Sequence, residues 1–178
     1  MSDASAQERE IYSGKVVKLR LKYVVGADGR RHLREIVEHV PGAAVVAVDH
    51  AGQVLLVRQP RPAVGGSLLE LPAGLVDPGE TPIETARREL EEETGFVADR
   101  LEPLAAFYTS PGFTDELLHV FAASGLHETA TRHDDEEEIE LVRLPLEAAI
   151  ERVMRGEISD AKTVTGLLAY ARRRASAH

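Results

Sequence analysis

The sequence predicts an α+β fold in which strands enclose one central helix and two amphipathic helices close the chain. Three observations support this prediction. Apolar and polar residues alternate in residues 11–25 and 31–40, as expected of strands with one buried face. A single capped helical segment follows at 82–94. Apolar residues then recur at helical spacing in 146–155 and 160–174.

The strands follow from alternation bounded by turn residues. Residues 11–25 and 31–40 are predicted to form an antiparallel hairpin around the turn GADGR. Three further strands are predicted before the central helix and three after it, at 43–49, 53–59, 67–72, 103–109, 116–123 and 138–144.

The hairpin suggests a division of the chain near residue 40. An isolated hairpin is only marginally stable in water. Residues 1–40 are therefore expected to form an N-terminal β unit that packs on the main body, residues 41–178, or on a second subunit. The alternative is that the hairpin simply joins the main sheet.

The central helix carries signals at both ends. Thr81 suits the N-cap, Pro82 suits the first helical position, and Glu84 completes a capping box. Gly95 supplies the left-handed stop, so the predicted helix covers 82–94. Its core-facing stripe contains Ile83, Ala86, Leu90 and Thr94.

Composition and charge exclude several classes of function. A net charge of −9 argues against non-specific binding to nucleic acid, which requires clustered Lys and Arg. The polar first residues do not resemble a signal peptide, and the longest apolar stretch, at 40–48, is too short to cross a membrane. The chain has no cysteine, which excludes disulfide and thiolate chemistry and favours a reducing, cytoplasmic setting.

The central helix contains five glutamates between 84 and 93. Such runs usually form a solvated helix face, but Glu89 and Glu93 lie one turn apart beside the core-facing stripe. Like charges at this spacing repel each other unless a cation neutralises them. Hard carboxylate oxygens favour Mg²⁺ or Mn²⁺, with water and substrate phosphate as the other ligands.

The same stretch resembles the Nudix box, G-x5-E-x7-R-E-U-x-E-E-x-G-U, where U is a bulky apolar residue. Every fixed position matches between residues 74 and 96, namely Gly74, Glu80, Arg88, Glu89, Leu90, Glu92, Glu93, Gly95 and Phe96. The resemblance implies an α/β/α sandwich with a mixed central sheet. It also implies metal-dependent hydrolysis of a pyrophosphate that links a nucleoside to another group.

The resemblance assigns roles to residues in and before the box. It implies that Glu89, Glu93 and the backbone carbonyl of Ala73 are metal ligands, with two or three ions at each site. Glu92 is expected beside these ligands, in direct or indirect contact with the metal. Glu80 and Arg88 are expected to pair and hold the loop against the helix.

Substrate choice depends on residues outside the box. Pro111, the fifteenth residue after Phe96, resembles a marker of the ADP-ribose pyrophosphatase subgroup, although Pro-Gly pairs also mark ordinary turns. That resemblance implies that Arg61 binds a substrate phosphate, a task that suits the planar guanidinium. It implies further substrate contacts from Arg34, His39, Ser110, Gly112 and Glu116.

Hydrolysis also needs a base, because the helix carboxylates are engaged by metal. The run HDDEEEIE at 133–140 resembles an acidic loop that supplies a base or ligand in the subgroup. Glu137 is the first choice for that role and Glu136 the second. The base would deprotonate a water whose pKa the metal lowers, and the expected products are AMP and ribose 5-phosphate.

The resemblance further implies a homodimer with exchanged N-terminal strands, in which each site draws on both subunits. Two other functions stay open. One is hydrolysis of GDP-mannose or another nucleotide sugar. The other, from a different class, is non-catalytic sensing of ADP-ribose, which the complete set of box glutamates makes the weaker hypothesis.

Overall fold

The computed structural model describes residues 8–129 and 139–176. Its strands and helices are, in chain order, β1 (Arg9–Ser13), β2 (Val17–Val25), β3 (Arg31–His39), β4 (Gly42–Ala47), β5 (Gln53–Arg61), β6 (Gly66–Glu70), β7 (Ala73–Leu75), α1 (Pro82–Thr94), β8 (Phe96–Tyr108), β9 (Leu117–Glu128), β10 (Glu140–Pro145), α2 (Leu146–Met154) and α3 (Ala161–Ser176). None of the helices in these two ranges is long and apolar enough to cross a membrane.

The predicted helices are confirmed, and the central helix begins and ends at the predicted residues. The predicted strand 11–25 is wrong in one respect, because a turn at 14–16 divides it into β1 and β2. The Gly14 N–H donates to the carbonyl of Val17 over 2.9 Å, closing this turn. The prediction also missed β7 and placed the start of β8 seven residues too late, at 103 instead of Phe96.

The chain forms two compact units. The first contains the described residues up to Pro41 together with Tyr108–Leu117. Its antiparallel sheet has the order β1-β2-β3, and β2 pairs with β3 along its whole length. The segment 108–117 lies along the end of β3, where the Val37 N–H donates to the carbonyl of Phe113 over 2.8 Å.

The second unit contains Gly42–Phe107 and the described residues from Leu118 onward. It has two sheets, of order β10-β5-β6 and β7-β4-β9-β8. In the second of these, β4 runs parallel to β9 and antiparallel to β7, so the sheet is mixed as predicted.

The core of this unit lies on both faces of β4. Because side chains alternate along a strand, Ala44 and Val46 pack in one cluster, while Ala43, Val45 and Ala47 pack in another. The first cluster includes residues of α2 and α3, and the second includes Ala86 and Leu90 of α1. The sheet is thus covered by helices on both faces, which is the α/β/α sandwich.

Candidate active site

Helix α1 is anchored so that its polar flank stays in a fixed position. Its N-terminus has the predicted capping box, in which the Thr81 N–H donates to Glu84 Oε2 over 2.7 Å. Gly95 ends the helix with a φ of 71°, and its N–H donates to the carbonyl of Glu91. Leu90 is completely buried, so the helix cannot rotate without exposing core side chains.

The carboxylates of Glu89 and Glu93 both lie against strand β7. Glu93 is buried, and its Oε2 accepts the Ala73 N–H over 2.9 Å. Glu89 lies so close to Gly74 that a Cβ there would be 1.8 Å from Glu89 Oε1. Strand β7 is itself held by its antiparallel pairing with β4. The fold therefore brings the predicted ligands Glu89 and Glu93 to the Ala73–Gly74 backbone, where the group of Ala73 that contacts Glu93 is the N–H and not the predicted carbonyl.

Arg88 connects the acidic groups around this strand. Its Nε donates to Glu80 Oε1 over 3.0 Å, and its Nη1 donates to Glu89 Oε1 over 2.6 Å and to Glu92 Oε2 over 3.0 Å. Its Nη2 also contacts the carbonyl of Leu75. The predicted contact between Glu80 and Arg88 is present and ties the loop before α1 to the helix. Glu92, in contrast, is largely exposed.

Electrostatics at Glu80 reflect these contacts. Hydrogen bonds from Arg88 and from the Thr85 hydroxyl lower the pKa of Glu80 from 4.5 to about 2. The same contacts, with Glu80 first and Glu92 and Glu89 next, raise the pKa of Arg88. Arg88 and Glu80 are therefore both charged at neutral pH.

Arg61, the predicted phosphate contact, is held by a second carboxylate. Its Nε and Nη2 donate to the two oxygens of Glu70 over 2.7 and 2.8 Å, in the bidentate geometry typical of arginine. Glu70 is only 1% exposed. Lys162 forms a third contact with the Glu70 carboxylate.

The remaining predicted substrate residues lie in the first unit. His39 and Glu116 are brought together, with His39 Nδ1 3.5 Å from Glu116 Oε1 and also 2.6 Å from the carbonyl of Val40. The backbone carbonyl of Ser110 accepts the N–H groups of Phe113 and Thr114, both over 3.1 Å, in the turn that contains Gly112. Arg34 lies exposed on β3 and donates to the carbonyl of Leu33.

The predicted base residues, Glu136 and Glu137, lie outside the described residues.

Comparison with known proteins identifies the family of this chain. Residues 38–165 match the model of the NUDIX domain. The chain belongs to the Nudix family. It is 41% identical to the ADP-ribose pyrophosphatase of Bacillus subtilis over 92% of this chain and 89% of that protein. It is 39% identical to the GDP-mannose pyrophosphatase of Cronobacter sakazakii over 75% of each.

A solved structure shares the Nudix fold with this chain. It is described as the crystal structure of an ADP compounds hydrolase, and it superimposes with a TM-score of 0.82 at 22% sequence identity. The match covers 93% of this chain and 90% of that one. The predicted fold class is therefore confirmed.

Nudix hydrolases generally require a divalent metal ion, and the residues beside β7 fit one. Within 8–129 and 139–176, no three acidic or histidine side chains form a preassembled metal cluster. The groups at hand are instead two carboxylates, Glu89 and Glu93, beside the backbone of Ala73. The carboxylate oxygens of Glu89 and Glu93 suit a hard cation that keeps several waters and binds substrate phosphate.

Sequence reasoning missed Glu70 and Lys162. Glu70 stands in the predicted strand SLLELP, and a charged residue in an apolar strand is a signal for a buried partner. Its partner Lys162 is 92 positions away in the chain, so no local spacing rule identifies it.

Proposed function

We propose that this Nudix protein hydrolyses the pyrophosphate bond of ADP-ribose and releases AMP and ribose 5-phosphate. The observation that carries the chemistry is the convergence of Glu89 and Glu93 on the Ala73–Gly74 backbone. The identity to an ADP-ribose pyrophosphatase over most of both chains supports the choice of substrate.

In this proposal Glu89, Glu93 and the Ala73 carbonyl hold Mg²⁺, or Mn²⁺, in a set of two or three ions. The bound cation supplies charge screening at the phosphate oxygens and lowers the pKa of the attacking water. Glu92 assists from the exposed edge of α1, where Arg88 fixes its carboxylate. Arg88 also orients Glu89, while Glu80 holds Arg88 in place.

The remaining roles are assigned to residues outside the Nudix box. Glu137, or Glu136 as second choice, would accept the proton of the attacking water. Arg61 would bind a phosphate through its exposed edge, since Glu70 occupies the other. His39, Arg34, Ser110, Gly112 and Glu116 are proposed as further substrate contacts.

We further propose that residues 1–40 form a β unit distinct from a Nudix domain at 41–178, and that the chain is a homodimer with exchanged N-terminal strands. Several apolar side chains of the first unit are exposed, as expected of a surface that a second subunit covers. They include Ile11, Tyr12, Val16, Val25 and Leu33. The cysteine-free sequence supports a cytoplasmic location.

GDP-mannose is the second candidate substrate, supported by the relative from Cronobacter sakazakii. Incubation with Mg²⁺ and either ADP-ribose or GDP-mannose, followed by chromatography of the products, separates the two. AMP and ribose 5-phosphate from ADP-ribose are expected. Cleavage of GDP-mannose alone would keep the chemistry and overturn the proposed substrate.

Glu93→Gln should be measured beside the wild type, because it removes the charge while keeping an oxygen for the Ala73 N–H. Its activity should fall at least about 100-fold, the typical scale for losing a group that stabilises transition-state charge. Glu91→Gln, on the same helix but outside the proposed site, is the matched control. If neither substrate is cleaved, the hypothesis of a non-catalytic sensor gains support.

A further inference from the structure

Glu70 is a buried carboxylate that hydrolysis itself does not use. It lies at the end of β6 between Leu69 and Leu71, which are also buried. A buried charge is strongly destabilising unless paired groups neutralise it. Burial alone would raise the pKa of Glu70, but the hydrogen bonds from Arg61 and the charge of Lys162 outweigh burial and lower it.

Lys162 is fixed in place by the start of α3. Its Nζ lies 3.1 Å from Asp160 Oδ1, and the other Asp160 oxygen accepts the Thr163 N–H over 3.0 Å. The Thr163 hydroxyl also accepts the Leu71 N–H over 2.8 Å, which joins α3 to the residue after Glu70. The side chain of Lys162 is only 12% exposed, so the ammonium is directed inward at Glu70.

The charges form an alternating chain that ends at Arg61. Asp160, Lys162, Glu70 and Arg61 contribute two negative and two positive charges in sequence. Lys162 and Arg61 share the Glu70 carboxylate, so Glu70 orients the Arg61 guanidinium while Lys162 provides part of the charge that neutralises Glu70. The side chain of Arg61 is 40% exposed, so its guanidinium edge away from Glu70 can reach a ligand.

Arg61 also lies within electrostatic reach of the box helix. Its pKa is raised mainly by the hydrogen bonds to Glu70, against the opposing effect of burial, and further by charges that include Glu93. Glu70, which binds the guanidinium, stands three residues before Ala73, whose N–H donates to Glu93, so Arg61 is attached to the segment that leads into the proposed metal site.

We propose that Lys162 is a positioning residue, which acts through Glu70 to hold the Arg61 guanidinium ready for a diphosphate. The proposal rests on the role of Arg61 in the proposed function. It extends that role to a lysine and an aspartate, Lys162 and Asp160, at the far end of the chain.

Calorimetric titration of the protein with inorganic pyrophosphate in the presence of EDTA tests this proposal. The result does not depend on which nucleotide is cleaved. Lys162→Met should weaken pyrophosphate binding about tenfold, and Lys162→Arg should restore most of the affinity because it keeps the charge. Lys15→Met, the same change at an exposed turn of the first unit, should bind as the wild type does.

A double-mutant cycle distinguishes positioning from a purely structural role. In an Arg61→Met background, Lys162→Met should change the remaining affinity less than twofold, because the residue through which it acts is gone. The NMR signal of the Arg61 Nε–H, identified by its loss in Arg61→Met, should broaden in Lys162→Met.

Three results would overturn the proposal. They are wild-type affinity and an unchanged Arg61 signal in Lys162→Met, an equal loss of affinity in both backgrounds, or a wild-type protein that does not bind pyrophosphate.

If Lys162→Met fails to fold, the double variant Lys162→Met/Glu70→Gln serves instead, since it removes the buried charge with its partner. It should fold, and it should still bind pyrophosphate weakly. Failure of ADP-ribose cleavage alone would affect the proposed function and leave this titration informative.

Discussion

Arg88 determines the electrostatics of the site at the scale of single residues. One guanidinium contacts four carboxylates, those of Asp77, Glu80, Glu89 and Glu92, and so balances the charge of an acidic helix and the loop before it. Glu84, which has the spacing of an ion pair with Arg88, instead accepts the hydroxyl of Thr81. Arg88 therefore holds carboxylates of the loop before α1 and of α1 itself in fixed positions.

Glu80→Gln should destabilise the protein in a pH-dependent manner. The folded-state pKa of Glu80 is about 2, below its ordinary value of 4.5, so its charged form stabilises the fold. That contribution is complete above about pH 5 and is lost as the pH falls towards 2. The measurement is urea unfolding of the wild type and the variant between pH 7 and pH 3.

The difference in unfolding free energy between these two proteins should be constant near neutral pH and shrink in acid. A difference that does not change across this range would show that Glu80 acts through packing instead of charge. Glu102→Gln, at an exposed ion pair with Arg100, provides a comparison in which the loss of stability should be small.

At the scale of elements, the contact between β7 and α1 places the two carboxylates proposed as metal ligands, Glu89 and Glu93. Gly74 permits the contact, since the space of its absent Cβ is taken by the Glu89 carboxylate. Gly74→Ala should therefore displace Glu89 and lower kcat/KM about 100-fold, a typical result of misplacing a catalytic group by about 1 Å. Steady-state kinetics with ADP-ribose measure kcat/KM, and a thermal melt measures whether stability changes as well.

The melting temperature of Gly74→Ala should change little, because the obstacle is the end of a flexible side chain. Gly66→Ala is the matched control, since a Cβ at Gly66 meets no atom within 4 Å. Wild-type kinetics in Gly74→Ala would contradict the assigned position of Glu89.

Some of these elements were predictable from the sequence and others were not. The ends of α1 were predictable because Thr81, Pro82 and Gly95 act through local backbone chemistry. The break between β1 and β2 was missed because apolar alternation continues through the turn at Gly14. The contact between Glu70 and Lys162 was not predictable, because only the packing of α3 on the sheet brings the two residues together.

At the scale of the whole molecule, the predicted site residues divide between the two units. The proposed metal-site residues and Arg61 belong to the second unit, while His39, Ser110 and Glu116 belong to the first. The metal-site residues were predicted from the Nudix box, and the substrate contacts from the resemblance to the ADP-ribose pyrophosphatase subgroup outside the box. The segment Tyr108–Leu117 was not expected to belong with the N-terminal sheet, since more than 60 residues separate the two in the chain.

The proposed dimer predicts a solution mass twice the 19.4 kDa of the chain. Light scattering after size exclusion measures it. Leu33→Lys places a charge on the exposed apolar surface of the first unit and should shift the mass towards the monomer. Val64→Lys, at an exposed apolar residue of the second unit, should leave the dimer intact. A monomeric wild type at all concentrations would contradict the proposal.

Mn²⁺ binding, monitored by electron paramagnetic resonance, tests whether Glu89 and Glu93 hold the divalent cation. The wild type should remove free Mn²⁺ from solution. Glu89→Gln and Glu93→Gln should each weaken binding at least about tenfold, since a charged oxygen ligand is lost. Glu91→Gln should bind as the wild type does. Unchanged Mn²⁺ affinity in Glu93→Gln would contradict the account.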